Sequence, residues 1–166
     1  MTTALYMGRF QPLHDGHVSA IEKALKENDL LIIGIGSVQY ANTNANPFTL
    51  EERTEMIEGA VKGRYRIISV PDFRNCFEWI NYIEKTAGEF NCVYTVNPVA
   101  MELFKEKGYC IKPIEFDIKI SGTEIREMIA KDKNWKKFVP QSTVDVIKKA
   151  GGIERIKSIY KKGFIC

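Results

Sequence analysis

"YMGRFQPLHDGHVSAI", residues 6–21, decides how this chain is read. It places an apolar start, two glycines, an arginine, a glutamine and a proline ahead of Val18, Ile21, Ala24 and Leu25, which recur at helical spacing. A short buried strand over Ala4–Met7, a glycine-broken loop and a helix follow from that pattern. The loop carries His14 and His17, the only two histidines in the chain. Gly8 permits close backbone approach just after the strand, and Gly16 does so at the helix start, where unpaired N–H groups favour an anion. Two imidazoles three residues apart can donate to one phosphate group. Preset donors of this kind suit a reaction in which negative charge grows on phosphate oxygens. Zinc is the competing reading of H-x-x-H, but a third ligand is normally needed and neither a further histidine nor a paired cysteine supplies one.

Outward from this unit, apolar runs alternate with helical periodicity, the signature of strands and helices around a parallel sheet. Leu30–Ile35, Tyr65–Val70 and Cys92–Val96 read as strands. Thr49 and Glu52 have capping-box spacing ahead of a helix with Met56, Ile57, Ala60 and Val61. A helix with Phe77, Ile80 and Ile83 on one side follows Asp72, and Asn97 caps another with Pro98 at its first position. One or two short strands are expected between Gly108 and Ile120, then a helix marked by Ser121 and Glu124. Ser142 is the expected cap of a later helix, and Gly151-Gly152 a break. The fold expected is α/β, a Rossmann-like open parallel sheet with helices on both faces and a small C-terminal helical part. Residues 1–166 are expected to form one domain, with 132–166 as C-terminal helices packing on the core.

In such a sheet, ligands sit outside the carboxyl ends of the strands, which is where both polar motifs fall. The second, "ISGTEIR" at 120–126, presents Ser121, Gly122 and Thr123 at a helix start with Arg126 one turn on, a second phosphate cradle. Capping alone explains Ser121 and Glu124, and Trp79 is open to two readings, stacking on a planar ring or packing in the core.

Of 166 residues, 45% are hydrophobic and 27% charged, enough apolar content for a real core. The net charge of +3 is modest and no nucleic-acid-reading module is evident, so a small polyanion is expected as ligand rather than nucleic acid. The longest apolar run, Leu30–Ile35, is too short to span a bilayer, and the first residues do not read as a signal peptide, so a cytoplasmic protein without membrane partners is expected. Cys76, Cys92, Cys110 and Cys166 are spread singly and are expected to be reduced thiols.

Together, His14-Asp15-Gly16-His17 and Ile120-Ser121-Gly122-Thr123-Glu124-Ile125-Arg126 resemble the H-x-G-H and I-S-x-T-x-x-R motifs of the nucleotidyltransferase superfamily. More narrowly, "GRFQPLHDGH", "IIGIGSVQ", "NPFTLEER", the Asp72 to Trp79 spacing, Asn97-Pro98 and "SGTEIR" are similar to the archaeal-type nicotinamide mononucleotide adenylyltransferases. The resemblance implies ATP and nicotinamide mononucleotide as substrates, NAD and pyrophosphate as products, magnesium carried on the ATP phosphates, and a homo-oligomer, often a hexamer. It places His14, His17 and Arg126 on the ATP phosphates and Arg9 on another phosphate. Trp79 is placed at the nicotinamide ring, and Gly36, Ser37 and Asn97 beside the dinucleotide. Two positions depart from the pattern: Val96 stands where relatives commonly carry glycine, and Cys76 where they often carry asparagine. Sister enzymes acting on flavin mononucleotide, phosphopantetheine or a cytidine nucleotide share the phosphate motifs, and a noncatalytic nucleotide sensor could retain the fold.

Overall fold

The structure is a computed structural model that describes residues 1–114 and 116–163. They group into two compact units: Met1–Arg9, Ala20–Gln39 and Lys62–Phe116 in the first, and Phe10–Ser19, Tyr40–Val61 and the chain from Asp117 onward in the second.

The first unit is built on β1 (Thr3–Gly8), β2 (Leu30–Gly36), β3 (Tyr65–Val70), β4 (Cys92–Tyr94) and β5 (Cys110–Lys112). All pairs are parallel, in the order β3-β2-β1-β4-β5. The β2 sequence LLIIGIG is apolar at nearly every position because a parallel strand covered on both faces gains from burying each side chain. Strand pleating divides these residues between two faces. Leu5, Ile32, Ile68 and Val93 join Ile80 and Ile83 of α3 (Cys76–Ala87) and Ala100 and Phe104 of α4 (Pro98–Glu106) in one apolar core. On the opposite face, the Tyr94 hydroxyl donates to Glu27 at 2.8 Å, at the end of α1 (Asp15–Glu27), so helices cover both faces.

Helix starts follow local chemistry. Asn75 accepts from the Phe77 N–H at the start of α3, and Asn97 accepts from the Val99 and Ala100 N–H groups ahead of Pro98 in α4. Phe77 differs from expectation: it is 67% exposed, and the buried stripe of α3 is Ile80, Ile83 and Ala87. Position 77 lies in the first turn, off that stripe. The fourth strand stops at Tyr94, two residues short of its apolar run, because the Thr95 hydroxyl accepts from the Asn97 N–H and turns the chain toward its cap. Only one short strand, β5, forms among the described residues between Gly108 and Ile120.

The second unit holds α2 (Leu50–Ala60), α5 (Gly122–Ala130), a 3-10 turn at Lys136–Phe138, α6 (Gln141–Lys149) and α7 (Gly152–Lys162). Thr49 with Glu52, and Ser121 with Glu124, make complete capping boxes. Helix α6 starts two residues earlier than expected, after Pro140, and Ser142 sits inside it, its hydroxyl donating to the Met56 carbonyl at 2.9 Å. A tertiary acceptor has taken the hydroxyl that could have capped. Gly151 adopts φ 63° and separates α6 from α7, where Arg155 closes a two-bond fork on Glu52 at 2.7 and 2.9 Å.

Candidate active site

In the first unit, the strands' carboxyl ends surround a cavity of about 600 Å³. Gly8 and Arg9 follow β1, Gly36 and Ser37 follow β2, Asp72 follows β3, and Thr95, Val96 and Asn97 follow β4. Trp79 closes one side. All six residues expected from the sequence in this part of the chain, namely Gly8, Arg9, Gly36, Ser37, Trp79 and Asn97, line this one space.

The local geometry explains several of these positions. Ser37 holds φ 54° and donates its hydroxyl to the Asp72 carboxylate at 2.8 Å. Gln39 grips the Asp72 backbone from both sides, its amide donating to the carbonyl at 2.9 Å and its oxygen accepting from the N–H at 3.0 Å. Asp72 is thus a fixed carboxylate in the cavity wall. The sequence marks Asp72 as a strand end and, through its spacing to Trp79, as part of the family resemblance, without giving it a place in the site. Asn97 spends its side-chain oxygen on the α4 cap. Trp79 is half-buried: it meets Phe104 edge-on at 5.9 Å, as core packing requires, and it also lines the cavity. Cys76 borders a smaller adjoining hollow of about 190 Å³, and Val96 stands 55% exposed at the main cavity wall.

In the second unit, His14 and His17 form a reciprocal pair. The His14 N–H donates to His17 Nδ1 at 3.3 Å, and the His17 N–H donates to His14 Nδ1 at 3.2 Å. The rings stack at 3.5 Å between centroids, with Phe10 edge-on to His17 at 4.9 Å. Because each Nδ1 accepts, the proton of each neutral ring resides on Nε2. Two Nε2–H donors are therefore set by backbone geometry. Burial lowers the His14 pKa to about 4, against an opposing pull from Glu124. Burial and the neighbouring His14 hold His17 well below the usual imidazole range. Gly16 keeps this turn uncrowded, since a Cβ would lie 3.1 Å from both His14 Nδ1 and the Ile118 carbonyl.

This predicts an acid limb in stability. The unfolded chain binds protons near 6.5 and the folded site does not until about 4 for His14, so stability is fully present above 6.5 and falls as pH drops through that window. The slope approaches about 1.4 kcal/mol per pH unit for each histidine involved. Urea unfolding across pH 7 to 5 checks it. A wild-type curve no steeper than that of His14→Gln would refute the buried neutral pair.

Arg126 is 6% exposed, and its guanidinium donates to the Gln11 carbonyl at 2.7 Å and to the Thr123 hydroxyl at 3.1 Å. The Thr123 hydroxyl therefore accepts from Arg126, and Ser121 is occupied with Glu124 in the cap. Gln11, unsuspected from the sequence, is the hub. Its buried amide donates to the Phe48 carbonyl and accepts from the Phe48 N–H, both at 2.9 Å, pairing the histidine loop with the turn before α2. Thr143 adds a bond to the Leu13 carbonyl at 3.2 Å. Gly122 closes the arrangement, because a Cβ there would come within 2.8 Å of the Gln11 carbonyl oxygen. Backbone cannot yield cheaply, so Gly122→Ala is expected to cost about 1–3 kcal/mol in urea unfolding. An unchanged unfolding midpoint would show that the contact relaxes.

The sheet order, the polar loops at its carboxyl edge and the paired histidine and Ser-Gly-Thr motifs define a Rossmann-like nucleotidyltransferase. The family model described as cytidylyltransferase-like matches residues 5–128. Nicotinamide-nucleotide adenylyltransferases align with nearly the whole chain. That of Methanospirillum hungatei is 40% identical, covering 100% of this chain and 98% of its own length. That of Thermoplasma volcanium is 40% identical, covering 94% and 91%, and that of Thermococcus sibiricus 39%, covering 93% and 88%. The chain belongs to the cytidylyltransferase-like family and, within it, to the archaeal-type nicotinamide-nucleotide adenylyltransferases.

Solved structures support the fold. The bifunctional NMN adenylyltransferase/ADP ribose pyrophosphatase of Francisella tularensis, in complex with AMP and a Mn ion, matches 97% of this chain with TM-score 0.69 at 21% identity. This chain spans 56% of that bifunctional protein. A putative nicotinate-nucleotide adenylyltransferase from Vibrio parahaemolyticus matches 89% of this chain and 99% of its own, with TM-score 0.59 at 15% identity.

Proposed function

We propose that this protein transfers the adenylyl group of ATP to nicotinamide mononucleotide, forming NAD and pyrophosphate, and that residues 1–166 act as one functional domain. The observation that carries the acceptor is the cavity of about 600 Å³, which gathers Arg9, Gly36, Ser37, Asp72, Trp79 and Asn97. It offers a cation for the acceptor phosphate, an aromatic wall for the ring and polar groups for the ribose and amide.

The acceptor phosphate is already ionised at neutral pH, so neither an enzyme nucleophile nor a general base is needed. It attacks the α-phosphorus in line, breaking the bond to the β-phosphate oxygen as the new P–O bond forms. Positioning and charge neutralisation supply the acceleration. His14 and His17 donate from Nε2 to the phosphate oxygens on which charge accumulates. Arg126 and the N-terminus of α5, with Ser121, Gly122 and Thr123, hold the pyrophosphate end. Gly8 and Gly16 let the chain approach the phosphates. Among the described residues, no three carboxylate, histidine or cysteine side chains converge as a metal cage. Neutral imidazoles and a guanidinium suit phosphate oxygens, whereas Mg²⁺ prefers hard oxygen ligands, so the donor set fits Mg²⁺ carried by the triphosphate. Bound with ATP, Mg²⁺ would supply neutralisation of charge on the pyrophosphate held by Arg126 and the start of α5.

Incubation with ATP, Mg²⁺ and a panel of mononucleotides, with products identified by mass, tests the reading. NAD and pyrophosphate from nicotinamide mononucleotide are expected, and product only from flavin mononucleotide, phosphopantetheine or a cytidine nucleotide would overturn it. Trp79→Leu should weaken nicotinamide mononucleotide and NAD binding with ATP affinity nearly unchanged, and Trp79→Phe should be milder, because the lost element is the aromatic face. Parallel loss of both affinities with a lowered Tm would return Trp79 to a packing role. In solution the protein is expected to be a homo-oligomer, for which a hexamer is the natural candidate. Phe73, Phe77 and Val99, 38%, 67% and 59% exposed, are apolar surface available for burial between copies. Sedimentation at the monomer mass would refute this.

A further inference from the structure

Among the described residues, β5 is an edge strand of three residues paired only with β4. Its first residue, Cys110, stands in parallel register with Cys92, the first residue of β4. Val93 and Ile111, one step further on, belong to the core on one face. By alternation, both cysteines face the other side, with Tyr94 and Lys112. Cys92 is half-buried, Cys110 is exposed, and both are free thiols. Neighbouring strands lie about 4.7–4.9 Å apart, within the about 4.4–6.8 Å that separates the Cα atoms of a disulfide. Side chains that start at this separation and point to the same face need little backbone movement to join.

We propose that Cys92 and Cys110 form an oxidisable dithiol, a covalent modification site for low-molecular-weight disulfides, separate from the nucleotide site. Cys110, the exposed member, attacks as thiolate on one sulfur of RSSR. That S–S bond breaks, a mixed disulfide forms on Cys110, and RS⁻ leaves. The Cys92 thiolate then attacks the Cys110 sulfur, expelling the second RS⁻ and forming the Cys92–Cys110 bond. Two electrons pass from the cysteine pair to RSSR, and the two thiol protons end on the two RSH released. Burial holds the Cys92 thiol above its ordinary range, which leaves the first attack to the exposed Cys110, and proximity to the mixed disulfide drives the second, intramolecular step. An exposed disulfide of this kind is reducible. The link would tie the edge strand to β4, whose chain continues into Thr95, Val96 and Asn97 of the acceptor cavity.

The test uses the full folded chain with excess oxidised glutathione, followed by alkylation, digestion and mass spectrometry. The expected product is a Cys92 peptide joined to a Cys110 peptide, lighter by two hydrogen atoms than the reduced pair and lost on adding dithiothreitol. Cys92→Ser should trap glutathione on Cys110, and Cys110→Ser should leave Cys92 largely unmodified. Stable glutathione on wild-type Cys110 with no cross-link would overturn the proposal. So would a bond from Cys110 to Cys76 in place of Cys92.

Discussion

Replacing His17 with alanine is expected to lower kcat by about 10² to 10³, the usual loss for one positioned donor to developing charge. The KM for ATP should change much less, because the donor matters most as charge moves toward the leaving group. The reciprocal bonds sharpen this expectation. His17→Ala also removes the acceptor for the His14 N–H, so part of the loss comes through a displaced His14. A melt of the variant separates that contribution, since misplacing a loop residue lowers Tm whereas losing only the Nε2–H donor does not. Turnover within a fewfold of wild type, in a protein that melts normally, would remove His17 from the chemistry.

Arg126→Lys is the second large effect. The planar guanidinium spans the Gln11 carbonyl and the Thr123 hydroxyl with two separate nitrogens. A lysine keeps the charge but cannot make both bonds from one ammonium while presenting a fork to phosphate. A lost charge-assisted hydrogen bond is worth about 1.5–3 kcal/mol, so kcat/KM for ATP should fall about 10- to 100-fold. The Gln11 carbonyl, left without its buried donor, should also lower stability. Steady-state kinetics with urea unfolding on one preparation reads both. Wild-type values in both would mean that Arg126 acts only as a diffuse charge, or not at all.

Much of the molecule was legible in advance because it depends on rules that act over a few residues. The strand Tyr65–Val70 is found with the expected boundaries, and both capping boxes are complete. Asn97-Pro98 opens α4 as its residue types require. Where the reading missed, a partner distant in sequence had intervened. Ser142 was read as a cap, but its hydroxyl reaches the Met56 carbonyl. Phe77 was counted with Ile80 and Ile83 because spacing alone cannot tell which edge of an apolar stripe meets the sheet.

The sequence by itself determined the alternation of strands and helices, the helix starts, the donor-rich loop after β1 and the second phosphate motif, since periodicity, capping and glycine tolerance are properties of neighbouring residues. Only the tertiary structure decided that Gln11 holds the Phe48 turn and receives Arg126, and that each histidine N–H fixes the tautomer of the other. It alone set Asp72 under Ser37 and Gln39, and Cys110 beside Cys92. Apart from the histidine pair, which needed the loop's three-dimensional turn, these are contacts between segments far apart in the chain. Their partners are selected by strand register and by the need to satisfy buried polar groups, and neither acts until the sheet and helices have packed.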